Sequence, residues 1–300
     1  MKKRIIFIII VLLIVGAAAA VIYTTAARSN KNNLYIQGCE YIESGDYKSA
    51  EACFSQLKGY LDSDELYTES HYQYAVELME QNELETALSM FQEIPEYRES
   101  AAHIDSIFYS LLIAAIDAHE MEKASEYAEQ IPEYQDVEYK KQYISYLNYL
   151  DLLNQGDAAK AEEIKNTISD TGLKTKAERI YEFSTHGAPI LTDLKGIFET
   201  EGAVIDINEV RCYQYAYNND VEVPVYLVST EYTDASGNKM PRYIVYMDMT
   251  YYGFCDTIVR AELNMQDEQQ LYTFLKIGNY WDAESTYILS TGLMKALAGL

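Results

Sequence analysis

The phrase "IPEYRES" at 94–100 returns as "IPEYQDV" at 131–137 and, weakened, as "LKGYLDS" at 57–63. Sliding the chain against itself by 37 residues aligns far more than these connectors. Tyr35, Tyr72, Tyr109 and Tyr146 share one column; Ala50, Ala87, Ala124 and Ala161 share another; Leu57, Ile94, Ile131 and Ile168 share a third. Tyr60, Tyr97 and Tyr134 coincide, and Gly45-Asp46 falls on Asn82-Glu83, His119-Glu120 and Gly156-Asp157. A constant period over four copies, without insertions, dictates an array of supersecondary units that bury their apolar surface against one another.

Each copy reads as two helices. In the first, Ile36, Cys39, Tyr41 and Ile42 form an apolar stripe, "SGDY" at 44–47 interrupts it, and Tyr47, Ala50, Cys53, Phe54 and Leu57 form a second. The second copy repeats this with Tyr72, Ala75, Leu78 and Met79, then Leu84, Ala87, Met90, Phe91 and Ile94. Pro95 and Pro132 have no amide hydrogen and restrict the residue before them, so these helices end at about Ile94 and Ile131. The connector tyrosine is expected to pack back across the junction between hairpins. Asp62, Ser100 and Asp136 stand where the next helix needs an N-cap, and Asp62-x-x-Glu65 has capping-box spacing.

These units resemble tetratricopeptide repeats (TPR), whose pattern is W-x2-L-G-x2-Y, then A-x3-F, then P. The first copy carries Leu34, Gln37, Gly38, Tyr41, Ala50 and Phe54; the second carries His71, Tyr74, Ala75, Leu78, Ala87 and Phe91. The third keeps Phe108, Leu111, Leu112, Ala115 and Ala124, with Ala128 at the aromatic position. The fourth keeps little beyond Leu152 and Ala161, with Lys165 at the aromatic position. The resemblance spans about residues 31–170 and implies a concave face, lined by first helices, that holds a protein or peptide. That face would draw on Asn33, Gln37, Ser70, Gln73, Glu77 and Glu80, with Tyr74 near; Gln37, Gln73, Tyr74 and Glu77 are the candidate partner-binding residues. The basic carboxylate clamp of chaperone-binding members has no counterpart. "GLKTKAERIYEFST" at 172–185 would close the array with a capping helix.

The N-terminus opens with "MKKR", followed by 19 uncharged residues at 5–23. As a helix these span about 28 Å, close to a bilayer core. Lys2, Lys3 and Arg4 outweigh Arg28 and Lys31, so a single-pass anchor is expected with its N-terminus inside. Residues 1–4 then form a cytoplasmic tip, 5–23 the transmembrane anchor and 24–30 a linker, and the bulk of the chain is extracytoplasmic, in a bacterial setting. A cleaved signal peptide is the alternative, because small residues follow the apolar run. Residues 35–185 hold 11 basic against 31 acidic side chains, a balance of −20, and the whole chain carries −24. Such a surface repels phosphate backbones and excludes nucleic acid as a direct ligand.

Beyond "STHGAPIL" the pattern changes. A short helix is expected at 192–202, then strands at 210–217, 223–233, 242–252 and 254–263, with "DASGN" at 234–238 as a turn. Tyr243, Val245, Met247 and Met249 alternate against Asp248 and Thr250 and are expected to face the covered side of an antiparallel sheet. A helix at about 268–277, a strand in "STYILS" and a terminal helix at 291–298 complete an α+β domain. Cys212 and Cys255 could pair, Cys39 and Cys53 read as core residues, and Trp281 is either a plug or a binding anchor.

Catalytic signatures are missing from the sequence. The four histidines are scattered, and there is no zinc, phosphate-loop, nucleophile-elbow or dinucleotide motif. Ser55-x-x-Lys58 matches a penicillin-recognising tetrad by chance, without its companion motifs. Neither cofactor nor metal is expected. The expected architecture is multidomain: an N-terminal transmembrane helix, an all-α TPR-like hairpin solenoid at 31–185 made of four hairpins and a capping helix, and an α+β domain at 186–300. The expected function is a membrane-anchored, non-catalytic interaction scaffold. The alternative is an exported enzyme, or a carbohydrate- or peptide-binding protein, with its site in the C-terminal domain.

Overall fold

The computed structural model describes residues 28–200, 204–217, 221–233, 236–248, 258–263 and 286–300. The expected tip and anchor, most of the linker, the helix at 268–277, Cys255 and Trp281 lie outside the described residues. The chain divides into two compact units, Met1–Tyr134 and Gln135–Leu300.

The first unit contains three hairpins. Helix α1 (28–44) and α2 (Tyr47–Phe54) form the first, α3 (Ser63–Glu80) and α4 (Leu84–Glu93) the second, and α5 (Ser100–Asp117) and α6 (Met121–Gln130) the third. Consecutive hairpins pack on their neighbours, α2 on α3 and α4 on α5. The cores follow the apolar stripes in most positions: Ala50, Phe54 and Leu57 in the first hairpin, and Tyr72, Ala75, Leu78, Ala87, Met90 and Phe91 in the second. Ile36, read as part of the first stripe, is instead exposed. By length and composition Ser100–Asp117 could cross a membrane. It is the first helix of the third hairpin, and Ile107, Leu111, Leu112 and Ala115 are buried in the array.

The period of 37 is also a period of backbone conformation. Gly45, Asn82, His119 and Gly156 all have positive φ, at 78°, 63°, 59° and 79°. So do Leu61, Arg98 and Gln135, at 51°, 47° and 45°. One left-handed residue thus turns the chain within each hairpin, and another turns it between hairpins. Side-chain identity varies at both positions, from Gly to His at one and from Leu to Arg at the other. An L-residue there costs about 1–2 kcal/mol. Leu61 is also 69 % exposed, so its side chain returns little of that cost. Leu61→Gly is therefore expected to stabilise the chain by about 1 kcal/mol in urea unfolding, despite the flexibility glycine adds to the unfolded state.

Helix ends follow the proline rule on one side and depart from expectation on the other. Ile94 and Ile131 are the C-caps of α4 and α6, as Pro95 and Pro132 require. The N-caps of α3, α5 and the next helix, α7 (Val137–Asn154), are Asp62, Glu99 and Asp136, and none caps through its side chain. Ser100 is the first residue of α5 rather than its cap, and the capping-box reading of Asp62 does not hold. The Asp62 carboxylate turns to a different partner, described below. Asp46 does cap α2, accepting the Ser49 N–H at 3.0 Å.

Loss of the aromatic signature along the array has a packing explanation. The first-helix column 38, 75, 112, 149 reads Gly, Ala, Leu, Tyr, while its second-helix counterpart 54, 91, 128, 165 reads Phe, Phe, Ala, Lys. The second-helix side chain stays Phe beside Gly38 and Ala75 and shrinks to Ala beside Leu112; beside Tyr149 the position is Lys165, whose side chain is largely covered and pairs with Glu162. At Gly38 a Cβ would lie 2.6 Å from the Phe54 ring, so the first hairpin has no room for anything larger. In the third, Leu112 and Ala128 are both fully buried. Interiors packed near crystal density admit such an exchange only if total volume is held.

Among the described residues the second unit holds the fourth hairpin, α7 and α8 (Ala158–Thr167), then α9 (Thr171–Thr200), five strands and α10 (Thr291–Ala298). Strands β1 (Val204–Tyr217), β2 (Val221–Thr233), β3 (Lys239–Asp248), β4 (Ile258–Leu263) and β5 (Thr286–Ile288) form one sheet in the order β4-β3-β2-β1-β5. Every neighbouring pair in it is antiparallel. The sequence suggested a capping helix at 172–185 and a separate short one at 192–202; these are one continuous helix, with Pro189 inside it. Gly187 keeps this helix close to the sheet, since a Cβ there would meet the Tyr226 ring at 2.6 Å. The core joins Phe183, Leu191 and Leu194 of α9 to Val210, Val228, Ile244 and Tyr246 of the sheet. The covered face of β3 is therefore that of Ile244 and Tyr246, with Tyr243 and Val245 only half-buried, the opposite of the expected parity. A bulge between Ile207 and Glu209 returns Val210 and Cys212 to the face of Ile207.

Candidate interaction surface

The first-helix face depends on how each hairpin is held to the next, and one device recurs at the junctions. In the first copy the Tyr35 hydroxyl donates to Asp62 Oδ1 at 2.7 Å, and its ring meets Phe54 and Tyr60 edge-on at 6.0 and 6.1 Å. One period later the Tyr72 hydroxyl donates to Glu99 Oε2 at 3.0 Å, and its ring meets Phe91 and Tyr97 at 5.7 Å each. In the third copy Tyr109 and Tyr134 lie 5.6 Å apart. Each junction tyrosine packs its ring against aromatic neighbours, and in the first two copies its hydroxyl reaches the N-cap residue of the next hairpin. This is why a carboxylate stands at the N-cap position without capping. The expected role of the connector tyrosine, packing back across the junction, is what these edge contacts supply.

The second junction is reinforced by charge. Glu69 accepts from the Tyr97 hydroxyl at 2.7 Å and from the Gln73 amide at 2.9 Å, and pairs with Arg98. Burial opposes ionisation of Glu69, yet the Tyr97 and Gln73 hydrogen bonds and the Arg98 charge hold its carboxyl below the usual range. Arg98 also sits 5.4 Å from the ring centres of Tyr72 and Tyr97. Arg98 takes the column held elsewhere by Leu61 and Gln135, and Glu69, Gln73 and Glu77 are spaced one helical turn apart. Those spacings were the available signal for this cluster.

The four candidate residues fall into two groups. Gln73 and Glu77 lie one turn apart on α3, both half-buried, and Glu77 accepts from the Gln81 amide at 3.1 Å. Together with exposed Glu80 they form a polar stripe along the helix. Gln37 and Tyr74 occupy the same repeat position on α1 and α3. Tyr74 points toward the preceding hairpin, its ring 5.7 Å from Lys48 Nζ, and it packs on the core of the second hairpin. Gln37 is exposed and donates to the Tyr41 hydroxyl at 3.2 Å. In the same column Tyr74 and Leu111 both pack on the core of the second hairpin. Ser70, also expected on the open face, is instead fully buried. The surface keeps its acidic character in the first two copies through Glu40, Glu77 and Glu80, whereas the third presents Ser106, Ser110 and Ala114 in the columns of Glu69, Gln73 and Glu77.

Among the described residues no group of His, Cys, Asp or Glu is arranged to hold a metal ion. In the second unit a cavity of about 500 Å³ lies between α9 and α10, lined by Thr185, Pro189, Thr192, Asp193 and Leu297. Pro189 has no N–H to offer the carbonyl four residues back, at Thr185. Compared with protein-family models, with curated proteins and with solved structures, the chain matches none.

Proposed function

We propose that this protein is a membrane-anchored, extracytoplasmic, non-catalytic scaffold that presents a TPR-like helical array to a protein or peptide partner. The observation that carries the reading is the stripe of Gln73, Glu77 and Glu80 on a first helix that buries Ser70, His71, Tyr72, Ala75 and Leu78. The stripe is polar and acidic, which favours a partner with basic or amide-donating groups over an acidic peptide terminus. The uncharged run at 5–23 and the basic cluster before it support the anchor and the extracytoplasmic side for the array. A photo-crosslinking residue at Gln73 or Glu77, in the full chain in its native membrane, is expected to capture a partner repeatedly. The same residue at Glu122, exposed on second helix α6, is expected to capture none. Equal capture from both positions would refute the first-helix assignment.

A second reading rests on the cavity between α9 and α10. It has hydroxyls, the Asp193 carboxylate and an apolar wall, a composition suited to a small carbohydrate or a peptide side chain. Under that reading Leu297→Trp abolishes ligand binding and leaves Gln73 crosslinks unchanged.

A further inference from the structure

His71 occupies a repeat position held by Leu34, Phe108 and Ser145 in the other copies. It is 3 % exposed, at the meeting of three helices. Its Nδ1 lies 2.7 Å from Glu51 Oε1 on α2, and its Nε2 lies 3.1 Å from the Met90 carbonyl oxygen on α4. Glu93 Oε2, also on α4, is 3.7 Å from Nε2, and the Tyr67 ring of its own helix stacks on the imidazole at 5.7 Å. The atoms that approach the two ring nitrogens, two carboxylate oxygens and a carbonyl oxygen, are acceptors. A neutral imidazole carries one N–H and would set a lone pair against one of them, whichever tautomer it took. The imidazolium donates from both nitrogens and satisfies both sides.

We propose that His71 is a proton-operated latch between the first and second hairpins: protonated, it ties α2, α3 and α4 together, and on losing its proton it releases that junction. The groups facing it are Glu51 from α2, Glu93 and the Met90 carbonyl from α4, and Tyr67 from α3. The Glu51 hydrogen bond is the largest influence and raises the imidazole above its ordinary value; burial opposes it, and the Glu51 charge, the Met90 carbonyl and Glu93 add to the rise. Because the folded value lies above the unfolded value of about 6.5, the latch contributes fully below about pH 6.5. Its contribution is lost as pH rises through the folded value. Over that window the opening equilibrium of the junction increases up to about tenfold per pH unit.

The test is hydrogen exchange of α2 and α3 amides across pH in the full chain in detergent micelles, with intrinsic exchange rates removed. His71→Phe, which installs the residue of the third copy, serves as the comparison. The wild type is expected to lose protection at this junction with rising pH while His71→Phe shows no such loss. An equal pH dependence in the two proteins overturns the proposal. Should the Phe variant fail to fold, the imidazole resonance of His71 in wild type and Glu51→Gln decides. Titration above about 6.5 that moves down in Glu51→Gln supports the latch, and titration at or below about 6.5 in the wild type refutes it.

Discussion

Gly292→Val is expected to cost on the order of 3 kcal/mol, the upper end of overpacking effects, and to detach the C-terminal helix. A Cβ at Gly292 would lie 1.8 Å from the Asn154 carbonyl oxygen and 2.5 Å from its carbon. These are backbone atoms at the end of α7, so no side chain can swing aside. The contact is one element of a lock. The Ser290 hydroxyl donates to Asn154 Oδ1 at 3.0 Å and accepts the Leu293 N–H at 3.1 Å, while the Ser290 N–H donates to Ser184 Oγ at 3.1 Å. Lys295 Nζ donates to the Ile207 carbonyl at 3.0 Å. Leu293 packs with Tyr149, Leu153 and Ile180, and Met294 with the core beneath the sheet, so a displaced α10 uncovers both clusters. Gly196→Ala in α9 is the control. A Cβ there meets nothing within 4 Å, and alanine should stabilise the helix by up to about 1 kcal/mol. Urea unfolding of the purified full chain reads both variants, and a Gly292→Val chain as stable as wild type would refute the lock.

Leu112→Ala is expected to lose about 3 kcal/mol, the usual cost of truncating a fully buried leucine. Ala128→Phe alone is expected to cost about 1–3 kcal/mol by overpacking beside Leu112. The two together rebuild the Ala75 and Phe91 pair of the second copy and should recover most of the loss, giving a large favourable coupling energy. Additive losses would show that the two columns do not exchange volume and that the third hairpin packs differently from the second.

The hairpins were legible because their evidence is periodic. Tyr35 to Tyr146 and Ala50 to Ala161 repeat at constant spacing, and Pro95 and Pro132 mark where second helices stop. What stayed hidden depends on contacts across sequence distance. Asp62 reads as an N-cap because local spacing cannot show that its carboxylate serves Tyr35, 27 residues earlier. The array's weak third and fourth copies looked like decay, since a residue pattern scores Phe54 and Phe91 but not the reciprocal growth from Gly38 to Tyr149. In β3 both alternating sets are apolar or aromatic, so Ile244 and Tyr246 could not be told from Tyr243 and Val245 by period alone. "HGAPIL" contains the residues that normally end a helix, yet α9 runs through it, with Gly187 against Tyr226 and Ala188, Ile190 and Leu191 buried. On the candidate surface Gln73 and Glu77 were visible as helix-face residues. The clasp of Glu69 by Tyr97 and Arg98 shows only as columns and spacings, because its contacts join a helix to a connector 28 residues later. Nothing local announces Glu51, 20 residues earlier, as the partner of His71.

The constant-spacing array itself is tested most directly by distances between equivalent sites. Glu43, Glu80 and Asp117 are exposed and occupy one column on the three first helices of the Met1–Tyr134 unit. With the native cysteines replaced by alanine, spin labels at these sites can be compared in pairs by pulsed electron resonance on the full chain. Coincident distributions for Glu43–Glu80 and Glu80–Asp117, with a longer one for Glu43–Asp117, are the predicted result. Unequal neighbouring distances, or an outer pair as short as the inner ones, would contradict the stacked array.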